Sequence, residues 1–269
     1  MLLTNRIVRT PLTRATAAMP TSVVAQMHAQ QAATAGLVVT PCIDVRRHCD
    51  LDEHLVAWRR VAEAVHAQGG KIVLQLSHAA TSSQDVTQAY VSIATRFVDD
   101  ACVDGIEVYA ANGCLIDGRR ESLQPRNPET PKHPLHELQH VVAAVADAIG
   151  GDRLGLRFSP LSNYSSESSD PDTLCQDVAK VAQEAKVAYV HLVHGDVFAS
   201  DEFVAIFRAT FRNTLVGDMG YTTDEANEAI RRRLVDAVAF DSNTTFGARS
   251  DLYGAVAIST DDGFRQGMN

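Results

Sequence analysis

Gly105-Ile106-Glu107-Val108-Tyr109-Ala110-Ala111-Asn112-Gly113-Cys114 is the stretch around which the fold is built. Apolar and β-branched residues run up to Val108. Small residues and Gly113 then break the pattern, while Tyr109, Asn112 and Cys114 follow in sequence. This is a strand with chemically useful side chains at its end. In a protein built of repeated strand-helix units, side chains leaving the C-terminal end of a strand project into a shared pocket. The spacing fits equally well a plainer role, in which Tyr109 and Asn112 only cap the strand end.

Outward from this strand, short β-branched runs alternate with Ala-rich stretches of helical period. Strands are predicted at 6–12, 36–42, 71–76, 105–110, 154–158, 189–193, 214–217 and 237–240. Helices are predicted at 22–35, 52–68, 86–102, 135–149, 172–185, 202–209, 223–233 and 248–258. Gly69-Gly70 stops the second helix, and Thr223-Asp224-Glu225 opens the seventh. Roughly eight units at a spacing of about 30 residues give the rhythm of one (β/α)8 TIM barrel spanning residues 1–269. A doubly wound open sheet would need a G-x-G-x-x-G turn after the first strand, and the chain has none.

The composition suits an enzyme with a large core, at 269 residues and 45% apolar content. A formal charge of -9 argues against a nucleic-acid surface, since phosphate binding needs clustered Lys and Arg. The run Arg231-Arg232-Arg233 reads as the solvated end of a helix. No run of about 20 apolar residues offers a membrane span, and the first residues have no apolar signal region. The five cysteines, Cys42, Cys49, Cys102, Cys114 and Cys175, are scattered without metal spacing and read as reduced thiols. The expected setting is cytoplasmic.

In the barrel register, the strand ends carry Pro11 and Thr13, Thr40 and Pro41, Gln75 and His78, Tyr109 and Asn112, Arg157, His191 and His194, Asp218, and Asp241. Arg157 lies inside the apolar run 154–160 and is costly to bury unpaired, so a ligand contact is favoured over an internal salt bridge. His191 and His194 are spaced i, i+3 about a strand end and are read as loop or core residues rather than metal ligands.

Several of these segments, in order along nearly the whole chain, resemble the Old Yellow Enzyme family. They are Asn5-Arg6-Ile7-Val8 with Pro11-Leu12-Thr13-Arg14, Ala35-Gly36-Leu37-Val38-Val39-Thr40, the run 58–70, Leu74-Gln75-Leu76, Asp104-Gly105-Ile106-Glu107-Val108 with Ala111-Asn112-Gly113, the run 152–160, and Asp236-Ala237-Val238-Ala239-Phe240. The resemblance implies an FMN-dependent ene-reductase on a TIM barrel. Such an enzyme uses NAD(P)H to reduce the flavin and passes hydride to an activated alkene of a small carbonyl-containing substrate. It places Pro11 and Thr13 along the isoalloxazine, Gln75 at its pyrimidine edge, and Arg157 at the N1/O2 side, where a cation stabilises reduced flavin. Gly217 and Ser242 fall at the phosphate end.

The departures from the family pattern concentrate on chemistry. The family's carbonyl-binding pair and proton-donating Tyr correspond here to Tyr109, Asn112 and Cys114, and the thiol of Cys114 is a weak and short substitute for a phenol. The phosphate end reads Gly217-Asp218-Met219-Gly220 and Asp241-Ser242-Asn243-Thr244, with two carboxylates and without the family's Arg. The segments 77–85 and 118–134 lack the family's covering elements, so the loops are trimmed and the site is expected to be open to water. Weak or lost FMN follows as an expectation. The alternative is a flavin-independent barrel doing non-redox chemistry, such as an isomerisation or cyclisation, or binding a small molecule in the vacated pocket. A homo-oligomer, or docking on a homologous subunit, is left open.

Overall fold

The computed structural model describes residues 1–10, 19–46, 52–78, 86–111, 114–116, 135–160, 170–193, 200–218, 220–241 and 251–258. In chain order the elements are β1 (Leu2–Leu3), β2 (Ile7–Arg9), α1 (Ser22–Ala32), β3 (Leu37–Val39), β4 (Ile43–Asp44), α2 (Asp52–His66), β5 (Lys71–Ser77), α3 (Thr87–Asp99) and β6 (Gly105–Ala110). Then come α4 (His136–Ile149), β7 (Leu154–Phe158), α5 (Pro171–Glu184), β8 (Tyr189–Val193), α6 (Ser200–Thr210), β9 (Thr214–Asp218), α7 (Thr223–Arg231), β10 (Ala237–Phe240) and β11 (Val256–Ala257). The strands β3-β2-β10-β9-β8-β7-β6-β5 are parallel neighbours, and β3 pairs back onto β5. Eight strands therefore close into a barrel.

Three of the helices, α1, α5 and α7, start at a side-chain cap. The Thr222 side chain accepts from the Glu225 backbone while Glu225 reaches back to the Thr222 N–H, a capping box that opens α7. Asp170 caps α5, with Pro171 at its first position. Each helix then buries one stripe on the barrel wall. In α2 that stripe is Leu55, Trp58, Val61, Ala62 and Val65, and burial of each larger side chain is worth about 1.5–3 kcal/mol.

The period of two along each strand separates the outer core from the lumen. In β6, Ile106, Val108 and Ala110 join the core under the helices, and Glu107 turns inward. A second apolar cluster, including Val8, Leu37, Val39, Val73, Val216, Ala237 and Ala239, fills the lower lumen. Leu3 and Ile258 pack into this cluster, where β1 and β11 pair antiparallel and stopper the barrel's N-terminal end.

Two expectations need correction here. The helix predicted at 248–258 is not formed over its described part. Asp251–Tyr253 make a single 3-10 turn, and Val256–Ala257 then extend as β11. Gly254 ends the turn, and β-branched Val256 finds an edge to pair with in Leu2–Leu3, which offsets the Ala-based helical pattern. Residues 248–250 lie outside the described residues. The strand predicted at 36–42 is shortened to β3, which ends at Val39 ahead of Pro41, a residue with no N–H to give the ladder, and the short β4 follows beyond it. Seven α-helices are present among the described residues, and none of them follows β10. No helix among these residues is long and apolar enough to cross a membrane.

Candidate functional site

Above the apolar floor of the lumen lies a layer of buried polar side chains drawn mainly from the consecutive strands β5 to β9. Glu107 of β6 is fully buried at its centre. Its Oε1 accepts from Gln75 Nε2 at 2.6 Å, and its Oε2 accepts from the Tyr189 hydroxyl at 2.9 Å and lies 3.1 Å from His191 Nδ1. Gln75 in turn receives the Cys42 thiol on its Oε1. The ionised Glu107 fixes the orientation of that amide, because only the NH2 end can face a carboxylate.

Tyr189 reaches Glu107 across the intervening strand because position 155 has no side chain. A Cβ on Gly155 would sit 2.2 Å from Tyr189 Cζ. Burial opposes the Glu107 charge, but the facing His191, Arg157 and the Gln75 N–H outweigh it and hold the carboxyl below its usual range. Burial likewise disfavours an imidazolium at His191, yet Glu107 on one side and Asp218 on the other raise its pKa despite Arg157. Burial, reinforced by Glu107, pushes the Tyr189 phenol well up and keeps it a donor. Burial also pushes the Cys42 thiol up to about 12, so it stays protonated.

One step nearer the C-terminal mouth, Arg157 and Tyr109 are paired in the β6–β7 register. Arg157 Nη2 donates to Asp218 Oδ2 at 2.7 Å, and His191 Nε2 lies 3.1 Å from the same oxygen, off the direction of a good hydrogen bond. The internal salt bridge, ranked second from sequence, is thus formed. It arises because Asp218, last in β9, turns inward beside the His191 ring. The pair does not use the whole guanidinium. Arg157 Nε is buried and meets no hydrogen-bond partner among the described residues.

Cys114, beyond the strand, turns toward a second cluster. Its Sγ lies 3.7 Å from the His78 carbonyl oxygen and 4.0 Å from His78 Nδ1. The Tyr90 hydroxyl lies 3.2 Å from the same Nδ1, and His78 Nε2 lies 3.5 Å from Glu137 Oε1. Elsewhere, Gly217 faces outward, where a Cβ would press on the Tyr221 ring at 3.0 Å. Thr40 Oγ1 accepts from the Gln75 backbone N–H at 3.1 Å, Pro41 is partly buried, and Asp241 is exposed. Pro11, Thr13, Asn112, His194 and Ser242 lie outside the described residues, as do Asn243, Thr244 and the segments 79–85 and 117–134.

The layer therefore brings together Gln75, Arg157, His191 and Asp218, all named from sequence, with Glu107, Tyr189 and Cys42, which were not. Glu107 carried a signal: a lone carboxylate inside an apolar strand must be paired when buried. Tyr189 and Cys42 carried none, since each reads as ordinary core.

No protein-family model matches the chain. It is 26% identical to the putative 12-oxophytodienoate reductase-like protein 1 of Arabidopsis thaliana over 309 aligned positions, covering 93% of this chain and 95% of the relative. It is 26% identical to a probable flavin mononucleotide-dependent alkene reductase of Leishmania infantum, covering 88% and 83%. The structure of the old yellow enzyme from Trypanosoma cruzi superposes with a TM-score of 0.73 at 25% identity, covering 89% of this chain and 85% of that chain.

Proposed function

We propose that this chain, a shortened relative of the old yellow enzymes, is itself an oxidoreductase of the ene-reductase kind, taking FMN at the barrel mouth, NAD(P)H as reductant, and an activated alkene conjugated to a carbonyl as substrate. The observation that carries this reading is the Arg157 Nε. A buried N–H without a partner costs about 1–3 kcal/mol, and the acceptor edge of a flavin pyrimidine ring is a group that would satisfy it. When bound, the flavin supplies hydride chemistry. The chain's own part is to orient and to neutralise.

Arg157 would hold the flavin's N1/O2 side, with Pro11 and Thr13 along the ring. The His191–Glu107–Gln75 chain keeps Arg157 and Asp218 in register from below. Tyr109 and Asn112 would donate to the substrate carbonyl oxygen, a buried donor of this kind being worth about 2.7–4 kcal/mol in the transition state. The Cys114 thiol faces His78 and is given no part in protonating the reduced carbon, so that proton comes from a donor other than the family's.

One observation favours a second reading, in which the barrel works without flavin. Gln75 has both ends of its amide engaged inside the layer, and Asp218 already neutralises Arg157. Reconstitution with FMN, removal of free flavin and a visible absorbance spectrum decide between the two. A retained flavin band, bleached by NADH or NADPH and restored by an enone, is expected. A colourless protein, for wild type and Asp218→Asn alike, would overturn the flavin reading and leave the second.

A further inference from the structure

We propose that Cys114, His78 and Glu137 form a thiol site beside the barrel mouth that takes α,β-unsaturated carbonyl compounds as covalent ligands. The three groups stand in the order of a nucleophile, a base and a carboxylate that orients the base. The Cys114 Sγ to His78 Nδ1 separation is 4.0 Å, and His78 Nε2 to Glu137 Oε1 is 3.5 Å. Glu137 favours one tautomer: with the Nε2–H toward the carboxylate, Nδ1 is left as an acceptor, with the Tyr90 hydroxyl at 3.2 Å and the thiol at 4.0 Å from it. The ring packs edge-on against Tyr90, with centroids 5.8 Å apart and planes at 86°. Glu137 is about half exposed while His78 is enclosed, so the cluster connects a buried base to solvent through one carboxylate.

Two further features set Cys114 apart from the other thiols. Among the three cysteines buried within the described residues it is the most open, at 8% against 3% for Cys42 and 0% for Cys175. Leu115, the next residue, is held at a φ of 61°, a left-handed conformation costly for a leucine, with its side chain locked in the core at 2% exposure. The core therefore fixes the turn that carries the thiol and sets it beside His78.

The chemistry follows from the groups. His78 Nδ1 takes the thiol proton, and Glu137 stabilises the resulting imidazolium. The sulfur lone pair forms a bond to the β-carbon of the conjugated carbonyl as the C=C π bond breaks. The imidazolium then returns its proton to the α-carbon. The product is a thioether, and no oxidant or reductant is consumed. A soft thiolate selects the β-carbon of a conjugated carbonyl over hard electrophiles. In this respect the proposal rests on the carbonyl-binding reading given above, but it needs no flavin.

The test treats the protein as purified with 2-cyclohexen-1-one and, separately, with iodoacetamide, reading adducts at Cys114, Cys42 and exposed Cys102 by peptide mass spectrometry. Both reagents are expected at Cys114 and neither at Cys42. Glu137→Gln should slow Cys114 labelling about tenfold or more without changing Cys102. His78→Gln should remove it, and where that variant does not fold, Glu137→Gln still decides. An unlabelled Cys114 beside a labelled Cys102, or an unchanged rate in Glu137→Gln, overturns the site. Labelling by iodoacetamide but not by the enone overturns the ligand class. Because adducts are read without flavin, a missing flavin band does not touch this result, nor does a missing adduct touch the flavin reading.

Discussion

Replacing Glu107 by Gln removes one charge from the centre of the lumen while keeping the side chain's size. Gln75 donates to one carboxylate oxygen and Tyr189 to the other, so the single amide oxygen of the variant can keep only one of these donors, and the charge lost is the one facing His191, 3.1 Å away and fully buried. Breaking a buried pair by neutralising one partner costs about 3–5 kcal/mol, since the other charge is left uncompensated. At roughly 2–4 °C per kcal/mol for a chain of this size, the melting temperature should fall by about 10 °C. Trp58, the single tryptophan and buried in α2, reports unfolding by urea or heat. The gap between wild type and Glu107→Gln should be widest near pH 6, where His191 is an imidazolium, and should narrow above its raised pKa, where the wild-type ring is neutral too. A loss under about 1 kcal/mol, or one that does not vary with pH, would refute the assignment of an ion pair at the barrel centre.

The wild type itself should show a bounded stability profile. Glu107, depressed in the fold, contributes stability above its unfolded pKa and loses it as pH falls through the lower folded value; His191, raised, contributes fully below its unfolded pKa and loses it as pH rises through the folded one. Urea midpoints across pH 3–10, a range of roughly seven units chosen to bracket both shifts, should therefore peak in the weakly acidic to neutral interval, and a midpoint still rising at the alkaline end would contradict this. Gly155→Ala puts a methyl 2.2 Å from Tyr189 Cζ and should cost about 1–3 kcal/mol by driving the phenol off Glu107; an unchanged urea midpoint argues against that packing. Asp241→Arg should tighten FMN, by up to about 4 kcal/mol per unit-charge pair before screening, and more at low salt. Fluorescence-quenching titration checks it, and equal affinity in both proteins would show that Asp241 does not face the phosphate.

The barrel was legible because strand period and helix period alternate cleanly. Lys71–Ser77 is short and holds β-branched Ile72 and Val73, Leu154–Phe158 is a short apolar run bounded by turn signals, and the stripe in Asp52–His66 admits little but a helix. What escaped was non-local. Nothing near Val256 announces that it will meet Leu3, and pairing between distant edges overrides a weak helical pattern. The same holds for the site. The strand register places Arg157 and Asp218 at the mouth, but their salt bridge depends on inward rotation at two separate strand ends. Cys114 stands in sequence next to mouth residues, yet the left-handed turn at Leu115 accompanies a thiol directed at His78.

The stopper formed by β1 and β11 also bears on how the molecule reaches its folded state. Leu2 pairs with Ala257 and Leu3 with Val256, so the first and last described strands are the ones that meet. During synthesis the strand-helix units can assemble in succession as each emerges, but this pair cannot form until the final strand has left the ribosome. Until then Leu3 and the lower lumen around Val8, Val73 and Val216 are open at one end. Sealing the barrel is among the longest-range contacts of the described residues and, by the loop-closure entropy it requires, a late step in folding.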